Sequence, residues 1–133
     1  MDTEKNRSLI GEMYSAAKRG DLEAFFAPIS PDIVVAEPPF LPYGGTYRGI
    51  DGLRSLFAQV TQILDLPNLT VDHLVADGDH VLGLIRVPIV GQDSDVTLAE
   101  LSIIRDGKVA EMRIYFHRAG TLGLRSPATR SVS

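Results

Sequence analysis

The chain has 133 residues, 44% hydrophobic and 23% charged, the composition of a folded globular domain rather than of a disordered segment. With 17 acidic against 13 basic residues the formal charge is −4, and no cluster of Lys or Arg offers a footprint for a nucleic-acid backbone. The absence of cysteine excludes disulfides, thiolate metal sites and cysteine nucleophiles.

A chain of this length buries about two thirds of its extended surface and needs no covalent staple. Residues 1–120 read as one domain, and 121–133 as a C-terminal tail expected to be flexible. The N-terminus carries no apolar signal segment and no window reaches the roughly 18 apolar residues of a membrane span, so a cytoplasmic protein without membrane contact is expected.

Residues 4–19 place Leu9, Ile10, Met13, Ala16 and Ala17 at helical spacing, with Tyr14 beside that stripe and Gly20 as a stop. Asp21 suits the N-cap of a short helix over 22–27, anchored by Phe25 and Phe26 and ended by Pro28. The β-branched run 33–36 predicts a strand that Pro38 and Pro39 interrupt, which leaves Glu37 at its end. Residues 40–49 have the chemistry of turns and predict a loop.

A third helix is predicted over 50–64 from the spacing of Leu53, Leu56, Phe57, Val60 and Ile63, with Asp51 as its cap. After Pro67 the period changes, and four strands are predicted over 69–76, 81–90, 96–104 and 109–116. Short turns between them, among them Asp77-Gly78-Asp79 and Arg105-Asp106-Gly107-Lys108, imply an antiparallel meander. In the tail, Leu122 and Leu124 are the residues placed to tuck it down. Three helices covering a bent sheet give an α+β cone around an apolar pocket, and apolar residues on the opposite sheet face imply a homodimer.

The order of elements, with Val35-Ala36-Glu37-Pro38, Gly45-Thr46-Tyr47-Arg48-Gly49 and the run from Arg105 to Phe116, resembles the superfamily of nuclear transport factor 2, ketosteroid isomerase and the SnoaL-like cyclases. The resemblance spans nearly the whole chain and implies the cone-shaped fold of that superfamily, with a mixed, mainly antiparallel sheet. Ketosteroid isomerases place a Tyr in the first helix, an acidic base before a Pro at the end of the first strand, and a second carboxylic acid on a late strand. Tyr14, Glu37 and Glu100 occupy the matching positions, with Glu standing where those enzymes usually have Asp. The implied roles are Glu37 as base, with Tyr14 and a protonated Glu100 as donors to a developing oxyanion, the arrangement of ketosteroid isomerase itself. Limonene epoxide hydrolases and SnoaL-type cyclases are expected to carry an Asp on the last strand, where this chain has Ile114.

Each candidate also has a plainer reading. Glu37, closing an apolar strand beneath a loop, is either a desolvated base or a rim carboxylate paired with Arg48. Glu100 interrupts the apolar strand VTLAELSII; it is either a cavity acid or a far-face residue paired with Arg86 or Arg113. Tyr14 is an oxyanion donor or ordinary helix-to-sheet packing with its hydroxyl at the surface. Tyr43 is placed in the loop for ligand contact and Tyr47 for packing, while Phe57, Met112, Ile114 and Phe116 have the spacing to line a pocket for a flat, oxygenated hydrophobic ligand. His73, His80 and His117 lack metal-ligand spacing, and neither a metal nor a cofactor is expected. Together these residues imply a cofactor-independent isomerase or cyclase of small carbonyl compounds such as polyketides, terpenoids or steroids. The alternatives are an epoxide hydrolase or ether-forming cyclase using the paired carboxylates, and a non-catalytic binding or dimerisation module.

Overall fold

A computed structural model describes residues 2–118. Helix α1 (Thr3–Arg19) starts where the Asp2 carboxylate accepts a hydrogen bond from the Lys5 amide at 3.0 Å. Glu4 lies in its first turn and Lys18 and Arg19 in its last, the order that the helix dipole favours. Helix α2 (Leu22–Phe26) is capped as predicted by Asp21, which accepts from the Ala24 amide at 3.1 Å, and it buries Phe25 and Phe26.

Strand β1 (Ile29–Glu37) starts earlier than the β-branched run alone predicts, because Ile29 also pairs in the sheet. The loop expected over 40–49 is corrected: its second half forms an edge strand, β2 (Gly45–Arg48), in which Tyr47 pairs with Val35 and Gly45 with Glu37. Helix α3 (Gly49–Ile63) follows directly. Its N-cap is Arg48, which makes no side-chain cap bond, and Asp51 sits inside the first turn instead of capping it. A 3₁₀ turn (Leu66–Asn68) then leads into β3 (Thr70–Asp77), β4 (His80–Pro88), β5 (Asp95–Arg105) and β6 (Lys108–Arg118).

These last four strands form the predicted antiparallel meander. The tight β5–β6 turn places Asp106 and Gly107 at φ of 53° and 75°, left-handed geometry that Gly and Asp tolerate best. β1 lies parallel to β6, so the six-stranded sheet is mixed, in the order β2-β1-β6-β5-β4-β3. The α+β expectation of three helices on a mainly antiparallel mixed sheet therefore holds.

The core lies between helices and sheet, where Ile33, Val35, Val81, Val96 and Val109 are essentially solvent-free. On the far face Val75 and Tyr115 remain about half exposed, flanked by the partly covered Leu82, Leu84 and Leu101. Helix α1 is fastened at its start: Asn6 Nδ2 donates to the Gly78 carbonyl at 2.8 Å, and the Gly78 amide donates to Thr3 Oγ1 at 3.0 Å. Tyr14, about 12 Å further along the helix axis, is thereby set over the middle of β4. Among the described residues no helix is long and apolar enough to cross a membrane. The expected tail, with Leu122 and Leu124, lies outside the described residues.

Candidate active site

Between α1, α3 and the sheet is a cavity of about 100 Å³. Its wall is apolar, built from residues such as Leu53, Leu56, Phe57, Met112 and Ile114, and its polar lining comes from Tyr14, Glu37 and Glu100. Sheet register brings the two carboxylates together. Glu37 is two residues beyond Val35, which pairs with Met112, so it shares the helix-covered face with both. Glu100 pairs with Ile114 on one side and with Gly83 on the other, on that same face.

The Tyr14 hydroxyl donates to Glu100 Oε1 at 2.9 Å. Gly83 makes the room: a Cβ there would lie 2.4 Å from the Tyr14 hydroxyl oxygen and 2.9 Å from Cζ. Burial, reinforced by the charge of Glu100 and the bond to it, holds the Tyr14 phenol well above its ordinary pKa. Burial likewise raises Glu100, against the pull of the Tyr14 hydrogen bond toward the ionised form. Glu37 is pushed up to about 8, chiefly by burial and secondarily by the neighbouring charge of Glu100. Its Oε1 is buried and has no hydrogen-bond partner among the described residues. A buried polar atom left unsatisfied on a cavity wall is a feature associated with function. Two carboxyls and a phenol lining one apolar-walled space form an array able to take up and return a proton.

A SnoaL-like domain model matches residues 10–112, a stretch that includes all three polar groups of the cavity. The chain belongs to the SnoaL-like domain family. Solved structures give the same fold to this SnoaL-like chain. Bal32a, from a soil-derived mobile gene cassette, is 18% identical, covering 86% of this chain and 91% of its own, at a TM-score of 0.77. An NTF2-like protein from Burkholderia thailandensis is 26% identical over 87% of this chain and 92% of its own, at 0.75. TerC, co-crystallised with polyporic acid, is 23% identical over 84% of this chain and 91% of its own, at 0.70. Among curated proteins nothing matches.

For the SnoaL-like chain, the plainer readings of three residues do not survive the geometry. Glu37 is an unbonded cavity carboxyl rather than an Arg48 partner, and Tyr14 is buried with its hydroxyl on Glu100. Glu100 faces the cavity, while Arg86 on the far face bonds Asp72 at 2.8 and 2.9 Å. Phe57, Met112 and Ile114 line the cavity as expected.

Two expected ligand contacts are placed elsewhere. Tyr43 is 2% exposed and lies off the cavity wall, because β2 folds the loop back onto β1, where the Tyr47 hydroxyl donates to the Tyr43 carbonyl at 2.8 Å. Burial, and after it the charge of Glu37, raises the Tyr43 phenol above its ordinary pKa. Phe116 lies two residues beyond Ile114 along β6 and lines outer grooves rather than the cavity. Gly83 went unread as part of the site. Its signal was a lone Gly inside an apolar strand, a mark of close approach by another group.

Proposed function

We propose that this SnoaL-like domain is a cofactor-independent enzyme for small hydrophobic carbonyl compounds, of the isomerase or cyclase type. The observation that carries the reading is the unpartnered, buried Glu37 carboxyl facing the same apolar cavity as the Tyr14–Glu100 pair. In the working form Glu37 is ionised and takes a proton from the carbon next to the substrate carbonyl. The C–H electron pair moves into the carbonyl, and the enolate oxygen accepts hydrogen bonds from Tyr14 and from protonated Glu100. Glu37 then returns the proton to another carbon, which is isomerisation, or the enolate carbon attacks a second carbonyl, which is cyclisation.

A scaffold would fill this space with side chains, and a cavity that stays open next to two acids favours catalysis. Its size bears on the substrate. At about 100 Å³ it is smaller than an engineered cavity of about 150 Å³ that holds benzene. A single ring is therefore the largest body that enters without movement of the wall. TerC, with its polyporic acid, is a precedent for a ligand on this fold. The working unit is a homodimer in which a second copy covers Val75, Leu84, Leu101 and Tyr115 of the far sheet face.

The test is turnover of 3-cyclohexenone in D₂O. The wild-type protein should convert it to the conjugated ketone with deuterium uptake at C4, the carbon that receives the returned proton, and Glu37→Gln should lower that rate at least about 100-fold. Full activity in the Gln variant contradicts the mechanism.

A further inference from the structure

Outside the cavity, between the α1–α2 turn and α3, lies an open vestibule of about 580 Å³. It shares Ala17, Phe57 and Leu66 with the cavity wall, so a single layer of side chains separates the two spaces. Phe57 is the main part of that layer, with its ring 5.1 Å from Phe25 and 6.0 Å from Phe26. The vestibule is apolar on most sides, and at its edge Leu22 is 44% exposed, an apolar surface that a bound molecule would cover.

One full positive charge lines this vestibule. Arg54 stands one turn before Phe57 and Ala58 on α3, with its guanidinium 4.4 Å from the centre of the Phe26 ring. Arg7, Arg19, Arg86 and Arg105 each hold a carboxylate, whereas among the described residues Arg54 has no acidic group within ion-pair distance. The aromatic face fixes the plane of the guanidinium without using its N–H donors, which leaves the fork free for a planar anion.

We propose that Arg54 makes the vestibule an anion-recognition subsite, so that the ligand is a small oxo acid whose carboxylate rests on Arg54 and whose apolar body passes Phe57 into the cavity. This rests on the reading of the cavity as a small-molecule site and names the class of compound it takes. A carboxylate at the mouth meets a cation, while the ring and carbonyl meet apolar walls and neutral acids further in. Burial raises both Glu37 and Glu100 above the ordinary carboxylate range, which lessens the negative charge that an anion at the entrance would meet.

The test uses two single-ring probes of one shape, benzoate and benzamide, titrated into the full chain by calorimetry at pH 7 and low salt. Wild-type protein should bind the acid about tenfold more tightly than the amide. Arg54→Gln should bring the acid down to the amide and leave the amide within about twofold, and Arg54→Lys, which keeps the charge, should retain part of the preference. Equal binding of both probes by the wild type, or an unchanged preference in Arg54→Gln, overturns the subsite and leaves the cavity reading standing. If neither probe binds, the subsite is overturned, while the cavity reading is decided separately by the turnover of 3-cyclohexenone.

Discussion

Gly83 and Tyr14 fit each other: the missing side chain of the one is the seat of the other's hydroxyl. A Cβ at Gly83 would come within 2.4 Å of that oxygen, and Gly83 is the direct cross-strand neighbour of Glu100, the group that the hydroxyl bonds. Strand pairing, helix placement and the hydrogen bond are thus one geometric unit. Gly83→Ala should cost about 1–3 kcal/mol by overpacking. In a Tyr14→Phe background the same change should cost at least about 1 kcal/mol less, because the closest clash is gone. Urea unfolding of the four proteins of this cycle measures the coupling, and simple additivity would disprove it.

Glu37 makes stability depend on pH in an unusual direction. In the fold it keeps its proton up to about pH 8, against an ordinary value of 4.5. The folded state therefore binds more protons than the unfolded state between those values, and stability falls as pH rises through that window. The difference corresponds to about 5 kcal/mol above pH 8. Glu37→Gln removes the penalty, so denaturation at pH 9 should show the variant more stable than wild type by a few kcal/mol, with the gap closing below pH 5.

Catalysis should follow the same titration with the opposite benefit. If ionised Glu37 is the base, the rate of deuterium uptake should rise tenfold per pH unit below about 8 and level above it. A pH-independent rate between 6 and 9 would show that another group takes the proton.

Phe57 divides the cavity from the vestibule. Phe57→Ala should join the two spaces at a cost of about 1–3 kcal/mol, less than for a fully buried Phe because the side chain is only partly covered. The bicyclic ketone 1-tetralone should gain exchange rate relative to cyclohexanone in this variant. An unchanged ratio would mean that Phe57 does not limit substrate size.

On the far sheet face the half-exposed Val75 pairs with Leu82 and Leu82 with Leu101, while Leu84 and the half-exposed Tyr115 both pair with Ala99. Sedimentation should give a dimer for the wild-type protein and a folded monomer for Leu101→Lys, since a buried ammonium without a partner is costly at an interface. A monomeric wild type would remove the proposed assembly.

Much of this molecule was legible in its sequence because the cues were local. Asp2 and Asp21 cap helices, the apolar spacing of α1 and α3 defines their buried faces, and Asp106-Gly107 fixes a hairpin. The facing of Glu37 and Glu100 was legible only through the resemblance, since a one-residue slip turns a side chain to the other side of the sheet. What escaped reading depends on contacts distant in sequence. The loop containing Tyr43 and Tyr47 carries glycines that suit a turn, yet β1 recruits Gly45–Arg48 as an edge strand and draws Tyr43 inward. Phe116 has the alternation of a cavity residue but lies beyond the cavity along β6. Gly83 acquires its meaning from Tyr14, 69 positions earlier in the numbering.

The measurement that bears most directly on the account is a ¹³C NMR titration of the Glu carboxyls in the folded protein, with Glu37 assigned by its loss in Glu37→Gln. The expected result is a carboxyl that titrates near 8, coupled to a second raised carboxyl lost on replacing Glu100. A Glu37 carboxyl that titrates near 4.5 would contradict the account, because it would describe a solvated group with no reason to act as a base in an apolar cavity.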